Sequence, residues 1–120
     1  MRSAAAKGSY YKLRTKRWLE AKGYAVAFLE RIHWIPPREP GGRMIPIKRD
    51  QLGADLMAVS ADAIILVQVK FGTNRRGAGH LAAGRREFAK YAMPALVQRW
   101  IVIWAPRMRE PEILECEAAA

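Results

Sequence analysis

The sequence predicts an α/β fold, a small mixed β-sheet flanked by helices in the order α-β-β-β-α-β. Three observations predict it. A capped helical segment comes first, at residues 9–22. Two β-rich runs joined by a tight turn lie in the middle, at 51–60 and 63–70. A second helical segment, 80–91, then separates that hairpin from the strongest strand, 96–104. A helical crossover between two strands of one sheet sets them parallel, whereas the tight turn sets its own pair antiparallel.

The first helix reads from Ser9, a suitable N-cap, to Lys22, with Gly23 where a terminating glycine belongs. Tyr24–Trp34 is rich in β-formers, and Tyr24, Val26, Phe28, Ile32 and Trp34 would share an apolar face that Glu30 interrupts. Residues 35–50, with four prolines and two glycines, read as a long loop with a short extended piece near Met44–Ile47. Gln51–Ser60 and Ala63–Lys70 form the hairpin. Residues 71–79 make a basic loop, and Pro94 ends the second helix, in which Leu81, Phe88 and Tyr91 form a stripe. Leu96–Trp104 reads as a central strand, and Glu112–Cys116 as an optional edge strand. The 120 residues are expected to make a single domain, with 1–7 flexible and 106–120 a peripheral tail.

Composition narrows the function classes. With 51% hydrophobic residues the chain should bury a core, and its single cysteine, Cys116, excludes an internal disulfide. No apolar run reaches the roughly 18 residues of a membrane span, and no secretory signal is evident, so a cytoplasmic location is expected. The formal charge of +10 points to a polyanion. Arg2, Lys7, Lys12, Arg14, Lys16 and Arg17 precede any acid, and Lys70, Arg75, Arg76, Arg85, Arg86 and Lys90 surround only Glu87. No basic amphipathic anchor accompanies this charge, so nucleic acid fits better than a membrane surface.

The chemistry-bearing residues gather in the hairpin. Alternate residues of a strand share a face, so Gln68 and Lys70 point the same way, and Asp55 would face them from the first strand. A carboxylate, an amide oxygen and the Val69 carbonyl are oxygen donors of the kind Mg²⁺ or Mn²⁺ takes, and Lys70 would stand beside an attacking water. Polar residues also finish many strands without doing chemistry, so a surface role for all three is the competing reading.

With Gly53-Ala-Asp55 and Gln68-Val-Lys70 in that order and spacing, the chain resembles the PD-(D/E)XK nuclease superfamily. Within it, Lys7-Gly8 before the first helix and Gly23-Tyr-Ala-Val26 after it resemble the archaeal and phage Holliday junction resolvases. The resemblance spans residues 7 to about 105. It implies a restriction-endonuclease-like core, a catalytic set of Asp55, Gln68 and Lys70, and a metal held by Asp55, Gln68 and Val69. It implies DNA, and branched DNA first, as partner, with a homodimer to cut two strands. Two positions depart from the family's pattern. Lys12 stands where an acid is usual in the first helix, and Gln68 replaces a glutamate. Glu20, Glu30 and Asp50 are candidates for the compensating acid. Lys7, Arg14, Arg49, Arg75, Arg76 and His80 are expected to contact nucleic acid. The alternatives are a non-catalytic nucleic-acid-binding module on the same fold, or a nuclease acting on duplex ends, flaps or in restriction.

Overall fold

A computed structural model of the chain describes residues 4–49, 51–72 and 78–116. The elements run α1 (Ala4–Ala21), β1 (Ala25–Phe28), β2 (Arg31–Ile35), β3 (Ile45–Arg49), β4 (Leu56–Val59), β5 (Ile64–Phe71), α2 (Ala78–Ala89), β6 (Val97–Trp104) and β7 (Glu112–Cys116). Five strands form one sheet in the order β1-β4-β5-β6-β7, and β2 and β3 form a separate two-stranded ribbon. β5 and β6 are parallel, with α2 as their crossover, and the other neighbours in the large sheet are antiparallel. The mixed α/β class, the hairpin and the parallel pair follow the expectation from sequence.

Period-two alternation on β5 and β6 builds a core on each face of the sheet. Ile65, Val67, Val69, Val102 and Trp104 join Leu56, Ala58 and Leu19 of α1 on one face. Leu66, Ile101 and Ile103 join Ala54, Cys116 and Phe88 of α2 on the other. Helix α1 is pinned beyond its apolar contacts. The Trp104 indole N–H donates to Thr15 Oγ1 at 2.8 Å, Thr15 donates to the Tyr11 carbonyl, and Tyr11 stacks on Phe71 and Trp104. On the opposite face the buried Arg99 donates to the Phe88 and Tyr91 carbonyls at 2.7 and 3.0 Å. Its charge there meets the negative end of α2, which explains a buried cation without a carboxylate.

Several expectations need correction. Helix α1 begins at Ala4, so Ser9 is interior and caps nothing, although Gly23, at φ 99°, does follow the helix end. The run 24–34 is two strands in two sheets. β1 ends at Phe28; the Leu29 N–H still reaches the Asp55 carbonyl in register at 2.9 Å, but the Asp55 N–H goes to Val67 instead of returning the bond. The extended piece of the proline-rich segment is a full strand, β3, paired with β2 from Arg31↔Arg49 to Ile35↔Ile45. Residues 51–54 are a turn rather than strand, with Leu52 and Gly53 at φ 57° and 71°. β6 is interior to the sheet as expected, between β5 and β7. The optional edge strand Glu112–Cys116 is present, as β7 paired with β6, and its Cys116 is buried. The observed order is therefore α-β-β-β-β-β-α-β-β. No helix among the described residues is long and apolar enough to cross a membrane.

Candidate active site

The site lies at the fork where β4 leaves β5. The last ladder pair is Leu56↔Val67, and Asp55 comes one residue before it. The Asp55 N–H donates to the Val67 carbonyl at 2.9 Å, and its carboxylate accepts the Val69 N–H at 2.7 Å through Oδ2. The carboxylate thus serves the backbone group that a continuing strand would have served. That fixes the side chain at the fork and leaves it 6% exposed. On a strand, the N–H and C=O of one residue point to the same side. The Val69 carbonyl therefore faces the same edge as Asp55.

Asp55 is joined there by an acid and a base from elsewhere. Lys12 of α1 forms an ion pair with Glu30 Oε1, and its Nζ stands 3.6 Å from Asp55 Oδ1. Glu30 comes within reach because the chain breaks out of β1 just before it, with Leu29 bonded to the Asp55 carbonyl. One cation therefore spans two carboxylates at a partly buried position. Hard carboxylate oxygens that converge on one cation, with a carbonyl edge beside them, suit the oxygen-seeking Mg²⁺ or Mn²⁺. Among the described residues no cluster of three or more His, Cys, Asp or Glu is present, so the set is poor in carboxylates.

Gln68 is placed differently. Its side chain faces α2, is 3% exposed, and its Nε2 donates to the Gly53 carbonyl at 2.8 Å and the Gly84 carbonyl at 3.0 Å. Two carbonyl partners fix which end of the amide is nitrogen. The contact needs glycine at both stations. A Cβ on Gly84 would meet Ile101 Cδ1 and come 2.7 Å from Gln68 Oε1, and one on Gly53 would stand 2.8 Å from the Glu87 carbonyl oxygen. Gln68 thus ties α2 to the turn that presents Asp55. Its Oε1 is buried and has no hydrogen-bond partner among the described residues. A glutamate here would press a carboxylate against two carbonyl oxygens, which accounts physically for the amide.

Lys70, on the same face as Gln68, is half-buried. Its charge reaches Glu87 of α2, which is held below the usual carboxylate range, first by the Lys90 hydrogen bond and in smaller part by Lys70. No ion pair engages Lys70 among the described residues. Burial pushes the Cys116 thiol up, away from the reactive thiolate.

Of the three candidate acids, Glu30 reaches the site. Glu20 does not: it pairs with Lys16 along the exposed side of α1 at 3.0 Å. Asp50 lies outside the described residues, as do Arg75 and Arg76. Lys7 and His80 sit near the N-terminal ends of α1 and α2, and Arg49 ends β3, with their side chains outside what is described. Arg14 is tied down within the fold, its guanidinium 4.4 Å over the Trp104 ring and bonded to the Met108 carbonyl at 2.7 Å. Sequence reasoning missed the joining of Lys12, Glu30 and Asp55, because nothing in the spacing tells that the chain breaks at Leu29. It also missed Gly53 and Gly84 as partners of Gln68; a glycine two residues before a candidate aspartate was the available signal.

No protein-family model matches the chain, and no curated protein matches it. Solved structures do. The crystal structure of SSO0001 superposes with a TM-score of 0.58 at 16% identity, over 98% of this chain and 53% of that one. The chain thus spans about half the length of SSO0001. Hjc of Archaeoglobus fulgidus, a Holliday junction resolvase from an archaeal hyperthermophile, superposes with a TM-score of 0.56 at 14% identity, over 91% of this chain and 72% of that one. The five-stranded sheet with its two helices therefore has a fold similar to that of SSO0001 and of the Archaeoglobus fulgidus Hjc.

Proposed function

We propose that the chain is a metal-dependent endonuclease of structure-selective type, whose first substrate is a four-way DNA junction. The observation that carries this reading is the fork. A buried Asp55 is held by the Val69 N–H, Glu30 converges on the same cation, and Lys70 stands two residues beyond Gln68 on the motif strand. The resolvase-like fold and the charge of +10 support it.

Asp55, Glu30 and the Val69 carbonyl would hold the divalent ion. Such an ion supplies positive charge to a phosphodiester and makes a bound water nucleophilic near neutral pH. The residues do the positioning. Asp55 orients its carboxylate through Val69, and Gln68 keeps the Gly53 turn against α2 so that Asp55 cannot swing away. Lys70 offers an ammonium to the charge that builds on the phosphate oxygens as water bonds to phosphorus and a P–O ester bond breaks. Lys12 balances the two carboxylates until DNA and ion arrive. Cutting opposite strands of a junction calls for two such sites, hence a homodimer.

A second reading has its own observation. Lys12 already spans Glu30 and Asp55, and both Gln68 amide protons are satisfied, as suits a non-catalytic nucleic-acid-binding module on this fold. A panel of four-way junction, flap, linear duplex and single strand, with and without Mg²⁺, separates the two. Junction nicking that needs Mg²⁺ supports the nuclease. Salt-sensitive binding with no product on any substrate supports the module.

A further inference from the structure

The β2–β3 ribbon stands outside the large sheet. Its strands pair with one another, and among the described residues neither packs substantially on another helix or strand. A two-stranded ribbon alone is marginal in water and seeks a partner for its apolar side chains. Here they are displayed: Trp34 and Ile45 are each 58% exposed and Met44 53%. The tip is nonetheless shaped. The Gly42 N–H donates to the Glu39 carbonyl at 3.1 Å, Gly41 turns at φ 82°, and a Cβ on Gly42 would stand 2.7 Å from Pro37 Cβ. Ile35, Pro37, Arg38, Arg43 and Ile45 line an open groove of about 560 Å³ there.

Charge decides between occupants. Segment 31–49 carries Arg31, Arg38, Arg43, Lys48 and Arg49 against the single acid Glu39. A second copy laid on the ribbon would bring the same excess of positive charge against it. A polyanion with flat apolar surfaces would meet both the charge and the exposed indole, and two-stranded ribbons have the dimensions to enter a DNA groove.

We propose that the β2–β3 ribbon is a DNA-reading arm. Trp34 stacks on a base left unpaired or unstacked at a branch point, while Arg38 and Arg43 hold the phosphates beside it. The proposal rests on the DNA reading of the fork and deepens it, by assigning the choice of branched over plain duplex DNA to an element outside the site.

The experiment measures fluorescence anisotropy of the full chain with a labelled four-way junction and with a blunt duplex of equal length. Wild type is compared with Trp34→Ala, Trp34→Phe and the pair Arg38→Ala with Arg43→Ala. We expect Trp34→Ala to weaken junction binding about tenfold, the loss of one base-stacking platform, and duplex binding less than about twofold. Trp34→Phe should keep most of the affinity, and removing the two arginines should lower the salt slope by about 2. Circular dichroism of each variant should match wild type, because Trp34 is outside both cores. A Trp34→Ala protein that binds the junction as wild type does overturns the arm and leaves the DNA reading intact. A wild type that binds neither DNA overturns both. If Trp34→Ala instead splits a dimer in sedimentation while DNA affinity holds, the surface belongs to a second copy and the proposal fails.

Discussion

The two sides of the β4–β5 fork are built on opposite principles. On one side, Lys12, Glu30 and Asp55 make an ionic cluster whose cation comes from a helix. On the other, Gln68 is neutral, nearly sealed, and bound to two backbone carbonyls that no solute can replace. Gln68 and Lys70 lie two residues apart on one strand, yet the first is a buried pin and the second is half-buried. Motif spacing treats them alike, and burial separates them. The proposed chemistry therefore rests on Asp55, Glu30 and Lys70, while Gln68 holds the turn that presents Asp55.

Substitutions can break this contrast. The largest stability effect is expected from Gln68→Glu, which buries a carboxylate against the Gly53 and Gly84 carbonyl oxygens. Urea unfolding should show a loss on the order of 3 kcal/mol or more. A variant of unchanged stability that binds Mn²⁺ more tightly would instead make position 68 a metal ligand. Lys12→Met should cost less, about 1–2 kcal/mol, because Glu30 is only partly buried and the buried Asp55 carboxylate keeps its bond from the Val69 N–H. Millimolar Mn²⁺ should then raise the melting temperature of the variant more than that of wild type, since the resident ammonium no longer competes. Equal shifts would mean that Lys12 does not guard the carboxylates. The smallest effect concerns Cys116, whose thiol burial pushes up. Its folded form stays protonated while the unfolded thiol ionises, so stability should decline slightly as pH rises through the ordinary thiol range. Native protein should react slowly with iodoacetamide at pH 8, and unfolded protein quickly.

The fold was legible where local signals and long-range pairing agree. The hairpin, the helical crossover and the parallel β5–β6 pair could be read because turn chemistry and period-two alternation mark them. The break at Leu29 could not, because the alternation of Tyr24, Val26, Phe28, Ile32 and Trp34 runs through it unchanged. β1 ends because the Asp55 N–H, which would return the Leu29 bond, goes instead to the Val67 carbonyl, distant in sequence from both. The ribbon read as a loop because its prolines are turn signals, although Pro46 is tolerated in a strand that has a free edge. At the site, Asp55 and Lys70 stood out as charges in apolar runs. Glu30 carried the same signal, an acid on an apolar face, and its convergence with Lys12 became visible only in three dimensions. Gln68 resembled a ligand because its partners are backbone atoms, which leave no mark in the sequence.

One measurement tests the nuclease reading most directly: cleavage of a labelled four-way junction by wild type, Asp55→Asn and Lys70→Ala, with Mg²⁺ and with EDTA. Asparagine keeps an oxygen for the Val69 N–H, so the fold and junction binding should survive. We expect Mg²⁺-dependent nicking by wild type, none in EDTA, and rates lower by about a thousandfold or more in both variants at unchanged affinity. Nicking by Asp55→Asn and Lys70→Ala at the wild-type rate, or the absence of nicking by wild type on a junction it binds, would contradict it.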